Sequence, residues 1–152
     1  MPEPILKWAG GKRQILSQIT SCFPPEDQIG SYHEPFLGGG AVFFKETSAY
    51  AETVNDLNER LANFYWVVRE HPNELIRQNE THEAGDEYYY NARDRFNEVR
   101  KATDDFSKQI GARVEEASLL LFLNRTCYNG LYRENSKGEF NVPCGDTGNP
   151  NW

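Results

Sequence analysis

Three consecutive glycines constrain this chain more than any other feature. Gly38-Gly39-Gly40 lie between Tyr32-His33-Glu34-Pro35-Phe36-Leu37 and the apolar run Ala41-Val42-Phe43-Phe44. The stretch reads as the end of a strand, a turn and the start of an apolar helix. An α/β sheet opens a ligand crevice in this way, at the carboxyl end of a strand. Only glycine turns so tightly and lets a ligand approach the backbone with no Cβ between them. The pattern is neither G-x-G-x-x-G nor a P-loop, since no Lys-Ser/Thr follows the glycines. Glu34 ahead of them would repel a pyrophosphate, but it suits a ligand with a cationic or hydroxyl-bearing face. On its own the stretch reads equally well as an ordinary glycine-rich strand-to-helix turn.

The flanking sequence supplies an α/β frame. Residues 5–12 form an extended segment closed by Gly10-Gly11, and a helix is predicted from Lys12, with Ile15, Leu16 and Ile19 on one face, until Pro24-Pro25. Residues 30–33 are predicted as a strand, 40–48 as a helix and 50–54 as a second strand. Leu57, Leu61, Phe64, Tyr65 and Val68 then recur at helical spacing until His71-Pro72. This order is the first half of a Rossmann-like sheet. Residues 72–123 are polar and helical without a strand, their buried faces expected at Phe96, Val99, Val114 and 117–123. Ser136-Lys137-Gly138, between two extended stretches, predicts a hairpin over 134–142.

Composition narrows the function classes. The net charge is −7, and residues 51–119 carry nine Lys and Arg against fifteen Asp and Glu, whereas residues 120–152 carry three of each sign. A nucleic-acid partner therefore has to be bound by a local patch. No apolar run is long enough to span a membrane and no leader pattern opens the chain, so a cytoplasmic protein with no membrane partner is expected. Cys22, Cys127 and Cys144 are scattered with no CxxC pair, and the histidines show no ligand spacing. Neither a disulfide framework nor a metal site is expected.

Asp56 ends the second predicted strand, where an acid in a nucleoside-binding α/β unit accepts hydrogen bonds from ribose hydroxyls. Alone, it reads better as an N-cap for a helix starting at Leu57. Trp8 and Lys12 flank the first glycine pair. The indole is suited to cover a flat ring or an alkyl stem, and the ammonium to meet a ligand carboxylate. A buried anchor tryptophan and a solvated lysine are the alternatives. Together these groups describe a nucleoside with free ribose hydroxyls, a cationic centre and a carboxylate but no phosphate, a description that S-adenosylmethionine fits and nucleotides do not.

Lys7-Trp8-Ala9-Gly10-Gly11-Lys12, Glu34-Pro35-Phe36-Leu37-Gly38-Gly39-Gly40 and Asn124…Tyr128-Asn129-Gly130-Leu131-Tyr132-Arg133 stand in one order. In these motifs, over about residues 4–150, the chain resembles the D12-class DNA adenine methylase family. The resemblance implies a Rossmann-like, S-adenosylmethionine-dependent catalytic domain with an inserted, mostly helical target-recognition domain bearing a β-hairpin. It implies methyl transfer to N6 of adenine in duplex DNA, at a GATC-type site by the likeness of the Tyr-Asn-Gly-Leu-Tyr-Arg run. Residues 1–71 would be the amino-terminal part of the cofactor domain, and 72–152 an incomplete recognition domain. Trp8, Lys12, Glu34, Phe36, Gly38, Gly40 and Asp56 match cofactor-binding positions. Arg125, Tyr128, Asn129, Leu131, Arg133 and Lys137 fall in the part that meets DNA. There Tyr128, Leu131 and Tyr132 are suited to wedge or stack beside a displaced base. Arg133 is suited to guanine O6 and N7, and Arg125 and Lys137 to phosphates.

The family's catalytic Asp-Pro-Pro-Tyr is absent from the 152 residues. Asn149-Pro150-Asn151-Trp152 mimics it, but the preceding Cys-Gly-Asp-Thr-Gly is loop rather than an apolar strand. No catalytic residue is therefore assigned, and the second half of the catalytic domain is expected to be absent. The expectations are a fragment inactive alone, or a DNA- and cofactor-binding remnant, or one subunit of a split enzyme whose second polypeptide supplies the rest.

Overall fold

The structure is a computed structural model and describes residues 3–45, 51–102 and 105–145. The chain is mixed α/β and divides into two compact units, residues 1–58 and 59–152. The sequence reading set the division after residue 71. The helix that follows residue 58 instead packs within the second unit.

In the first unit a short 3-10 turn, Lys12–Ile15, runs into α1, Leu16–Thr20. The predicted single helix is therefore two short pieces that end before Pro24. Ile15, expected on the buried face, is exposed. Strand β1, Ser31–Glu34, pairs in parallel with β2, Ala51–Val54, in the register Ser31–Ala51 to Glu34–Val54. Both strands lie within a residue of their predicted bounds.

Beyond their carboxyl ends the pairing continues irregularly. Asn55 N donates to Glu34 O at 2.9 Å, and Leu37 N donates to Asn55 O at 2.9 Å. The helix expected after Gly40 is not formed over 41–45, which is a series of turns. Gly38 and Gly40 have φ of +56° and +76°, left-handed backbone that glycine adopts without strain. The rest of that predicted helix, residue 50 of the second predicted strand and the Asn149–Trp152 mimic lie outside the described residues.

The second unit is helical: α2 Glu59–Glu70, α3 Pro72–Asn79, α4 Asp86–Val99 and α5 Ile110–Thr126. Pro72 ends α2 and occupies the first turn of α3, where its missing N–H is not needed. Residues 117–123 of α5 are buried all round, as expected of an apolar helix with no polar face, and α2, α3 and α4 pack around it. Leu61, Phe64 and Val67 of α2 are fully buried, as are Phe96 and Val99 of α4. Leu57, expected with them, is 89% exposed because α2 starts only at Glu59.

A carboxylate sits inside this apolar packing. Glu116 is fully buried and takes two bonds of 2.9 Å from Arg100, through Nε and Nη2. Asn63 Nδ2 donates to it at 3.0 Å, and Arg60 lies 3.8 Å away. Burial is the largest single effect and opposes the Arg100 charge, but the hydrogen bonds and charge of Glu116, together with the charge of Glu59, outweigh it and raise the guanidinium pKa.

After α5, the predicted hairpin is a single antiparallel bridge, Glu134–Phe140, rather than a ladder. Its turn is closed by Asn135, whose side chain accepts from the backbone N–H groups of Lys137 and Glu139 at 2.9 and 3.1 Å. Among the described residues no helix is long and apolar enough to cross a membrane.

Candidate functional site

The first unit gathers the sequence-predicted cofactor residues at the carboxyl ends of β1 and β2. Glu34 ends β1, is buried, and has both carboxylate oxygens engaged. Lys12 Nζ lies 2.7 Å from Oε1, and Tyr32 OH donates to Oε2 at 2.7 Å. Lys12 Nζ also donates to the Phe36 carbonyl. Lys12 thereby ties the amino-terminal glycine pair to the strand end and keeps one N–H beyond these two bonds.

Asp56 binds the glycine turn directly. Its Oδ2 accepts from Gly38 N at 2.8 Å and its Oδ1 from Asn58 N at 3.0 Å. The cap reading fails: Asp56 stands three residues before Glu59, and its bond to Asn58 N is an Asx turn that holds the backbone out of the helix. Each carboxylate oxygen keeps a lone pair beyond the bond described, so the group has acceptor capacity left for a diol.

Trp8 lies against the glycine turn. A Cβ on Gly38 would stand 3.4 Å from Trp8 Cδ1, and one on Gly39 would stand 3.3 Å from Trp8 Cβ and 3.4 Å from Leu6 O. Gly39 is therefore the most closely packed of the three, while Gly38 and Gly40 supply the positive φ. An open cleft of ≈ 420 Å³ is lined by Trp8, Gly10, Gly11, Arg13 and Gln14. Phe36 and Leu57 stand 72% and 89% exposed on the loops after the two strands.

Sequence reasoning missed Tyr32 and Gly39. Tyr32 is two residues before Glu34 on a strand and so shares its face, a signal that alternation alone supplies. Nothing in a run of three glycines marks the middle one.

The second unit holds the six residues read as DNA-facing. Tyr128–Gly130 is a tight turn in which Asn129 and Gly130 have φ of 55° and 64°. Asn tolerates that region among non-glycine residues, and Asn124 Nδ2 pins the turn by donating to Gly130 O at 3.1 Å. Tyr128 and Leu131 are thereby left 53% and 38% exposed. Tyr132 is half-buried against Phe140. Arg133 donates through Nε to Asn141 Oδ1 at 2.8 Å and through Nη2 to Asn141 O at 3.3 Å, so part of its fork is already committed. Lys137 is exposed at the turn tip and Arg125 is half-buried at the end of α5.

Comparison with known proteins decides the family. A family model described as D12 class N6 adenine-specific DNA methyltransferase matches residues 8–152. The chain belongs to this family. The D12-class chain is 42% identical over 163 residues to Type II methyltransferase M.MjaIII of Methanocaldococcus jannaschii, covering 97% of itself and 54% of that relative. It is 37% identical over 140 residues to the DNA adenine methylase of Serratia marcescens, covering 92% of itself and 48% of the relative. A third relative, the DNA N-6-adenine-methyltransferase of Escherichia phage P1, is 41% identical over 142 residues and is covered to 17%. The D12-class chain thus spans about half the length, or less, of these curated relatives.

Proposed function

We propose that the chain serves site-specific methylation of adenine N6 in duplex DNA, with S-adenosylmethionine as methyl donor. One observation carries the cofactor reading. Asp56, a carboxylate with lone pairs to spare, is fixed on the backbone of a glycine turn at positive φ packed against Trp8, at the carboxyl end of a parallel strand pair. In this reading Asp56 takes the ribose hydroxyls, Trp8 and Phe36 supply apolar surface, and Lys12 offers its remaining N–H to the carboxylate. Glu34 acts by holding Lys12, and Gly38 and Gly40 shape the turn. The cofactor, when bound, supplies an electrophilic methyl group; the chain's part is to bind and orient it.

Tyr128, Asn129, Leu131 and Arg133 would meet the DNA, with Arg125 and Lys137 on phosphates. Residues 1–58 then form part of a Rossmann-like cofactor domain, and the second unit forms at least part of a target-recognition domain in a cytoplasmic enzyme.

A calorimetric titration with S-adenosylmethionine tests the cofactor reading. Binding that both Trp8→Ala and Asp56→Ala weaken is the expected result; binding indifferent to both would sink it.

The absence of Asp-Pro-Pro-Tyr from the sequence favours a second, compatible reading, in which turnover needs residues supplied by further polypeptide. Methyl transfer from labelled cofactor to duplex DNA should be absent with the 152 residues alone. It should appear when a polypeptide carrying that motif is added.

A further inference from the structure

Cys127 and Cys144 are 17 positions apart in sequence, yet they face each other across an antiparallel bridge. Two backbone bonds set the bridge: Tyr128 N donates to Pro143 O at 3.0 Å, and Gly145 N donates to Thr126 O at 2.9 Å. Both bonds join the neighbours of the cysteines, so the cysteines form a non-hydrogen-bonded pair. Facing Cα atoms in such a pair lie about 4.5 Å apart. That falls within the roughly 4.4–6.8 Å that a disulfide bridges without backbone movement.

Two further observations tighten the placement. A Cβ on Gly145 would stand 2.8 Å from Cys127 O, so only glycine lets the segment press this closely against the end of α5. Both sulfurs also act on Tyr89, whose hydroxyl donates to Val142 O at 2.8 Å and whose pKa is raised first by burial and then by these two thiols. Both residues are thiols in the structure.

We infer that Cys127 and Cys144 form a reversible disulfide that closes the 127–144 loop when the chain meets a low-molecular-weight disulfide. The half-buried Cys144 is the first to react. Its thiolate attacks the oxidant, forming a mixed disulfide and expelling one thiolate. The Cys127 thiolate then attacks the Cys144 sulfur and expels the second. Two protein S–H bonds become one S–S bond, and the oxidant accepts two electrons and two protons as two small thiols. A bond of this kind in a reducing compartment is transient and reports on redox state.

The closed loop carries Tyr128, Asn129, Leu131, Arg133 and Lys137. A consequence for DNA binding rests on the role proposed for them above. The bond itself does not.

The test uses the full chain with Cys22→Ser, titrated with mixtures of oxidised and reduced glutathione. Non-reducing tryptic mapping should show peptides 126–133 and 138–152 joined, with no glutathione adduct remaining and with reversal by a dithiol. Glutathione adducts on Cys144 with no joined peptides would overturn the inference. Gly145→Ala should lower the equilibrium constant for closure by at least about tenfold through distortion of the bridge. Unchanged closure in that variant would also count against it. Duplex affinity, compared between the two redox forms, is read separately. Joined peptides with unchanged affinity support the bond and count only against the DNA role of the loop.

Discussion

Asp56 shows how one side chain can join two loops and keep acceptor capacity to spare. Its two oxygens hold the amides of Gly38 and Asn58, so removing it disturbs the glycine turn and deletes the acceptor together. Hydrogen bonds to a charged group contribute about 1.5–3 kcal/mol each. Asp56→Ala is expected to weaken S-adenosylmethionine binding by roughly 10- to 100-fold, at about 1.4 kcal/mol per decade. Asp56→Asn, which keeps one acceptor oxygen, should fall between, as calorimetry would show. Glu116 tests the opposite situation, a charge with no route to solvent. Glu116→Ala would take the fully buried carboxylate away from the half-buried guanidinium groups of Arg60 and Arg100, leaving Arg100 with Glu59 alone at 2.6 Å. Breaking a fully buried cluster from one side costs about 3–5 kcal/mol; with Arg100 partly exposed and still paired with Glu59, urea unfolding should show a loss towards or below the lower end of that range. Replacement by Gln should cost less, because it keeps an acceptor for Arg100. A variant as stable as the parent would mean that the cluster contributes nothing.

Between elements, His82 joins three helices without belonging to any of them. Its Nδ1 is 2.8 Å from the hydroxyl of Tyr88 on α4, and its Nε2 is 2.9 Å from Ser118 Oγ on α5. Ser118 in turn donates to Asn79 Oδ1 on α3 at 2.8 Å, and the ring stacks on Phe122 with centroids 4.6 Å apart. Since the Ser118 proton goes to Asn79, Ser118 accepts from Nε2–H, and Nδ1 is the acceptor of the Tyr88 hydroxyl. A neutral ring satisfies that chain.

Burial lowers the His82 pKa from the ordinary 6.5, against a smaller opposing effect of the Ser118 backbone. The unfolded chain therefore takes up a proton that the folded chain refuses. The stability from this group is fully present above pH 6.5 and is lost as pH falls from there towards the lowered folded value. Melting temperature followed across that window should fall in the parent. The slope should flatten in His82→Phe, and an equal slope in both would remove His82 as the cause.

At this scale the sequence was legible wherever one signal sufficed. Val99 and Phe96 on α4, and the apolar run of α5, follow from periodicity and hydropathy. The His82 chain, the Lys12–Glu34 pair and the Cys127–Cys144 bridge were not legible, because each joins residues whose approach depends on how intervening turns close. Over its described part, 41–45, the helix expected after Gly40 is replaced by turns that an apolar run does not signal.

For the whole chain, the two units differ in how much of their own structure they protect. Parallel strands are ordinarily buried on both faces, and two strands alone are marginal in water. In β2, Ala51, Glu52 and Thr53 are all exposed, whereas residues 117–123 of α5 are buried among three helices. The amides of β1 and β2 should therefore exchange with solvent faster than those of 117–123, by at least about a factor of ten. Hydrogen exchange read by mass spectrometry separates the two sets. Equal protection would mean that the strand pair is stable as it stands, which would remove the reason to expect further strands beside it. The decisive arm adds a polypeptide bearing Asp-Pro-Pro-Tyr and its strand. Exchange should then slow in β1 and β2 while α5 stays unchanged, because only an added strand supplies hydrogen bonds and cover to an open parallel edge. Slower exchange accompanied by methyl transfer would make strand pairing the event that assembles the enzyme. Methyl transfer without slower exchange would place the added polypeptide elsewhere and leave the exposed edge unexplained.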